Sequence, residues 1–238
     1  MLKYLDENSY IEYLMDKLSQ NRYANLILKH NGYQLDDSDG ISENIYILKS
    51  GIVKHSILNE DGNEININFQ NNPGIVNLFI NDRNELANSS HLVTVKSYQA
   101  WFYKINIKNF SKIVNDNYKL KKYIDIHHEN ELRTFINMLE YGMTYSKLGS
   151  VCAFFSQCSE QSGLEMILRD GTKVILINLE LLHDDIGKFC GINNRSSVSR
   201  IIAKLKKMNI LDSFHHYYII KDLDKLNMLK LKWISYTL

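Results

Sequence analysis

The sequence predicts an α+β chain made of an antiparallel β unit, one long helix and a small helix-turn-helix module flanked by hairpins. Three observations carry that prediction. Short β-branched and aromatic runs alternate with polar residues from Ile45 to Phe69 and again from His91 to Ile105. Apolar residues then fall at helical spacing between Tyr118 and Tyr141. Finally, a short helical pattern, a glycine and two asparagines precede an amphipathic, basic stretch from Arg195 to Met208. These changes of periodicity place a β domain at 1–117, the long helix at 118–143 and the helix-turn-helix domain at 144–238.

Composition sets the bounds. With 238 residues, 45% of them hydrophobic, the chain can bury a substantial core in one large or two smaller domains. The 28 Lys plus Arg nearly cancel the 27 Asp plus Glu, so attraction to a polyanion has to be local. Cys152, Cys158 and Cys190 form neither an even set nor a CxxC pair, which argues against a disulfide framework and against a four-thiolate metal or iron-sulfur site. The N-terminal stretch mixes apolar and charged residues, unlike a signal peptide, and no run approaches the ~18 apolar residues of a membrane span. A cytoplasmic protein with no membrane partner is expected.

In chain order, the β unit over residues 20–105 reads as a meander of short strands broken at Ser50-Gly51 and Asp61-Gly62. "IKNFSKIV" follows as a short helix. In the long helix, Leu120, Ile124, Leu132, Phe135 and Leu139 form one stripe, with His128 at the intervening position; a stripe this long calls for a partner, either the chain's own β unit or a second copy of the helix. "YSKLGSVCAFFSQCS" is helical, with Leu148, Val151, Cys152 and Phe155 on one face, and "LEMILRDGTKVILI" is a hairpin around Asp170-Gly171. Helical patterns at 184–190 and 195–208 precede a second hairpin, "ILDSFHHYYII", and a final helix over 222–236.

The stretch from 195 carries the chemistry. As a helix it buries Val198, Ile201, Ile202, Leu205 and Met208 and shows Arg195, Ser196, Ser199, Arg200, Lys204 and Lys207 on the other side. Its five cations, with no acid, stand out in a chain whose net charge is +1. Asn193-Asn194 can cap it, and Gly191 ends the short helix before it, the arrangement that thrusts a second helix into the major groove of duplex DNA. Small side chains at Ser196, Ser197 and Ser199 allow close approach. Arg200 is expected to read a base by two hydrogen bonds, while Arg195, Ser196 and Lys204 hold phosphates.

"DDIGKFCGINNRSSVSRIIAKLKKMNIL" also resembles the helix-turn-helix of the Crp/Fnr transcription regulators. Asp185, Ile186, Gly187, Gly191, Arg195, Val198, Arg200, Ile201, Leu205, Asn209 and Ile210 fill that family's frame, with one residue extra at Asn193-Asn194. That extra residue, "KLGSVCAFF" and "SSVSRIIAKLK" are most similar to the listerial virulence-regulator branch. "IYILKSGIVKHSILNEDGNEI" resembles the family's β-roll turns, so the resemblance spans nearly the whole chain. It implies a cyclic-nucleotide-binding-like jelly roll, a dimerisation helix and a winged helix-turn-helix, working as a homodimer on an inverted-repeat operator. An activator of this kind contacts RNA polymerase, and a small-molecule effector is common. Yet "PGIVNLFINDRNELANSSHL" lacks the Gly-Glu-Leu and Arg-Ser or Arg-Thr elements that hold a cyclic phosphate, with Arg83 outside that pattern, and no cysteine precedes 152. No glutathione pocket can be carried over residue by residue. Neither cyclic nucleotide, iron-sulfur cluster nor glutathione is therefore expected.

Other chemistry is weaker. A cupin-type enzyme needs histidines and carboxylates on its strands, and only His55 and His91 lie between 45 and 105. His127 and Glu131 have metal-pair spacing without the HExxH order, so His127 reads as a solvated or interface side chain; His215-His216 reads as a hairpin tip. Cys152 and Cys158 sit on different helix faces and read as buried apolar groups. The competing class is a ligand sensor that acts through protein partners without touching DNA.

Overall fold

Ile11, Leu14 and Leu18 recur at three- and four-residue intervals, so the segment Asn8–Ser19 closes into a helix, α1, additional to the elements expected above. The fold is seen in a computed structural model, which describes residues 8–35, 43–58, 62–77, 90–144 and 146–231. The segment around Arg83 and residues 232–236 of the expected last helix lie outside that set.

Eight strands follow α1: β1 (Ala24–His30), β2 (Gln34–Leu35), β3 (Asn44–Ser50), β4 (Val53–Leu58), β5 (Glu64–Gln70), β6 (Gly74–Ile75), β7 (Ser90–Val95) and β8 (Gln99–Asn106). They form two four-stranded antiparallel sheets, ordered β1-β8-β3-β6 and β2-β7-β4-β5. The roll implied by the resemblance is what forms, and the meander read from the turns is corrected at one of them. β3 and β4 are joined at Ser50-Gly51 but lie in different sheets, as a roll requires, because only such crossings let both sheets turn apolar faces to one core. Alternation along β3 and β8 shows the result. Tyr46, Leu48, Ala100 and Phe102 point into the core with Val53, Val93 and Val95 from the other sheet. Ile45, Ile47, Tyr103 and Ile105 point the other way, onto α1, α2 (Ile107–Asn115) and the start of α3 (Tyr118–Thr144).

By contacts the chain divides into Met1–Ile136 and Asn137–Leu238, with the division inside α3. The stripe expected along α3 is therefore not uniform. Leu120 is 1% exposed in the core beside Tyr123, with Ile124 packed against it, so these positions are taken up by the chain's own β unit. Leu132, Phe135, Ile136 and Leu139 remain exposed, spaced as one helical row.

The second unit is organised around α4 (Lys147–Ser162). The spacing predicts one apolar face for this helix, but every residue from Gly149 to Ser156 is buried. β9 (Gly163–Ile167), β10 (Lys173–Ile177), α5 (His183–Phe189), α6 (Arg195–Lys207) and α7 (Leu223–Leu231) all pack on it. β11 (Leu211–Phe214) and β12 (Tyr217–Ile220) complete the sheet β11-β12-β10-β9. Among the described residues, no helix is long and apolar enough to cross a membrane.

In the first unit, His55 and His91 stack with ring centroids 5.4 Å apart, and His55 lies 3.0 Å from Gln70 Oε1 through Nε2. His127, expected to be solvated or at an interface, is buried within its own unit against Tyr123 and 3.5 Å from Glu131. Burial, reinforced by the neighbouring imidazoles, lowers His55 to about 3; burial lowers His91 to about 4, and burial with His128 nearby lowers His127 to about 4. All three fold as neutral rings, whereas in the unfolded chain they take up protons near 6.5. Stability is thus complete above pH 6.5 and is lost as the pH falls towards 4. The urea midpoint of the protein is expected to drop steadily between pH 7 and pH 4.5, and His55→Gln to flatten that slope.

Candidate nucleic-acid interface

α5 and α6 are joined by residues 190–194, a connection longer than the three or four residues of a minimal helix-turn-helix. Gly191 takes φ 63°, the left-handed conformation that ends α5, and the Ile192 amide donates back to Gly187 O at 2.8 Å. That return brings Ile192 against α5 so closely that a Cβ on Gly187 would sit 2.6 Å from Ile192 O. Asn194 then caps α6 as the sequence suggested, its side chain accepting from Ser196 N at 2.8 Å. At the far end Asn209, φ 56°, repeats the left-handed stop, and Ile210 N donates to Leu205 O at 3.0 Å.

α6 is held by its apolar stripe. Val198, Ile202 and Leu205 are buried, Ile201 is half-buried, and Met208, expected in the stripe, is 41% exposed because it lies at the C-cap where the helix turns away. Arg195, Ser196, Arg200 and Lys204 are exposed, and Ser197 and Ser199 are half-buried. The six residues expected to meet DNA thus share the outer surface of one helix, five of them within its first six residues. Lys206 donates to Ser213 Oγ on β11, which ties the helix to the hairpin behind it. His215 (φ 54°) and His216 form the exposed tip of that hairpin.

One contact could not be read from the sequence. His183, at the start of α5, lies with Nδ1 2.8 Å from Ser199 Oγ. The partners are sixteen residues apart and share no periodic pattern, so only the fold brings them together. Cys152, Cys158 and Cys190 are all free and buried in this unit; burial raises Cys152 to about 12 and pushes Cys158 and Cys190 higher still. Among the described residues, no group of three or more His, Cys, Asp or Glu is placed to hold a metal ion.

Comparison with known proteins places this geometry. Residues 151–229 match the Crp-like helix-turn-helix domain. The lactate racemization regulatory protein of Lactiplantibacillus plantarum is 30% identical over 217 residues, covering 91% of this chain and 95% of its own. The listeriolysin regulatory protein of Listeria monocytogenes is 26% identical over 179 residues, 75% of this chain and 73% of its own. In fold, the chain resembles a CooA variant from Carboxydothermus hydrogenoformans, with a TM-score of 0.70 at 18% identity, covering 91% of this chain and 95% of that one.

The tightness of the turn has a measurable consequence. Gly187→Ala must push the turn backbone away from α5, and it is expected to destabilise the C-terminal unit by about 1–3 kcal/mol in denaturant melts, as overpacking does. Asn194→Ala, which loses only the cap, is expected to cost about 1 kcal/mol.

Proposed function

Because the chain belongs to the Crp/Fnr family of transcription regulators, we propose that it works as a homodimer that binds an inverted-repeat DNA operator through α6. The observation that carries this reading is the exposed row of Arg195, Arg200, Lys204 and Lys207 on a helix whose other side is anchored by Val198, Ile202 and Leu205. A surface of that charge on a chain of net charge +1 suits a polyanion that meets this face alone. The serines between the cations leave room for the duplex, and Arg200 stands where a guanidinium can reach guanine O6 and N7. Arg195, Ser196 and Lys204 then contact phosphates, with Ser197 and Ser199 at close range.

The row Leu132, Phe135, Ile136 and Leu139 on α3 supports the homodimer. Four large apolar side chains exposed on one helical line suit a second α3 packed in register. Two copies of α6 then meet successive major grooves about 34 Å apart. In this reading the protein acts in the cytoplasm and activates by touching RNA polymerase, and neither a cyclic nucleotide, an iron-sulfur cluster nor glutathione serves it as an effector.

Footprinting on genomic fragments is expected to show protection with two-fold symmetry and half-sites about 10 bp apart; protection without that symmetry overturns the dimeric reading. On the selected site Arg200→Ala is expected to cost about 1–3 kcal/mol and to relax selectivity, whereas Lys204→Ala weakens specific and random duplexes alike. Equal losses for both variants on both duplexes would reverse the assignment.

Phe135→Asp places a charge in the proposed helix interface. It is expected to give monomers by light scattering and to lose operator affinity in parallel. A dimeric Phe135→Asp protein would mean that this row is not the interface.

A further inference from the structure

Beside the cations assigned to DNA lies a group that assignment leaves unused. His183 is half-buried where α5 meets α6, its Nδ1 2.8 Å from Ser199 Oγ. The charges around it come from three elements. Arg195 and Lys206 on α6 and His216 in the β11–β12 turn disfavour its charged form, and Asp184 on α5 favours it. Burial first, then Arg195, holds the imidazole below its ordinary value, with His216 and Lys206 adding to the effect and Asp184 working against it. The free protein therefore carries His183 neutral at neutral pH.

We propose that His183 is a contact to the DNA backbone that couples binding to the uptake of a proton, a role resting on the reading of α6 as the helix that meets DNA. A phosphate brought against Arg195 and Ser199 neutralises the charges that disfavour the imidazolium and adds one that favours it. The hydrogen bond to Ser199 survives the change. With both ring nitrogens protonated, Nδ1–H donates to Ser199 Oγ, Nε2–H is left to donate to a phosphate oxygen, and the serine hydroxyl hydrogen is released towards the duplex. His183 thus supplies a cation only when the polyanion is present, and Ser199 is oriented by it from behind.

Because the bound state holds the proton more tightly than the free state, affinity rises as the pH falls through the raised value of the complex. Fluorescence anisotropy with a random-sequence duplex of about 30 base pairs, at fixed low salt, reads this without knowledge of the operator. From pH 8 to pH 6 the wild-type protein is expected to tighten by at least about threefold. His183→Gln and His183→Arg, neither of which titrates in this range, are expected to flatten the slope, while His216→Gln keeps most of it. A wild-type slope that persists in His183→Gln, or vanishes in His216→Gln instead, overturns the proposal and leaves DNA binding standing. Absence of duplex binding at every pH overturns both readings. Should the His183 variants fail to fold, calorimetry of the wild-type protein in two buffers of different ionisation heat counts the protons directly; uptake near pH 7 is expected, and none overturns the proposal.

Discussion

The hydrogen bond from the Ile192 amide to Gly187 O is the constraint on which the presentation of α6 depends. It folds the chain back on α5 at a separation that admits a hydrogen atom on residue 187 and no methyl group. Gly191 allows the reversal, Ile192 is buried by it, and Asn194 is delivered to the position where its side chain can cap the next helix. Arg195 to Arg200 then emerge at a fixed angle, since a second left-handed residue, Asn209, stops the helix equally firmly and buries Ile210. The basic face is oriented by backbone geometry at both ends.

That anchoring explains how a helix with five cations and no acid can fold. Arg200 and Lys204 are four residues apart, a like-charge spacing that costs roughly 0.2–0.5 kcal/mol. Lys204, Lys206 and Lys207 recover some of this by lying in the last turn, where the helix dipole favours positive charge. Burial of Val198, Ile202 and Leu205, worth about 1.5–3 kcal/mol each, is several times larger than either effect. The hydrophobic term decides, and the polar face is left free to be shaped by its partner. Behind it, α4 has nothing to offer solvent along two turns: the Phe154 ring packs tilted against Phe189 of α5 and the Phe155 ring against Tyr218 of β12, each with centroids 4.9 Å apart.

How much of this is legible in the sequence depends on whether a contact is local. The two helices, the turn glycine and the Asn194 cap are set by neighbours within a few residues, and they can be read directly, as can the hairpins at Asp170-Gly171 and His215-His216. α1 is also legible in the spacing of Ile11, Leu14 and Leu18, though the polar and charged residues between them mask its short apolar stripe. The two-sheet arrangement is implied by the family resemblance and not by the periodicity, because a turn at Ser50-Gly51 looks the same whether its strands pair or part. The division of α3 was hidden for a similar reason. Leu120 and Leu139 carry the same side chain at positions on one stripe, yet one is 1% and the other 59% exposed, and only the extent of the β unit separates them. The pairing of His183 with Ser199 and the gathering of His55, His91 and His127 belong to this class of long-range consequence.

The burial of Cys152, Cys158 and Cys190 has a use of another kind. A thiol reacts as its thiolate, and the burial that keeps these three protonated also keeps reagents away. Thiol-directed reagents therefore find no ready thiol in the folded chain, since its three cysteines are all enclosed in the same unit. Reaction has to wait for that unit to open, so the rate of labelling becomes a clock for its transient unfolding. With no probe engineered into it, the C-terminal unit reports its own opening, and a duplex that holds it shut would be visible as a slowing of that clock.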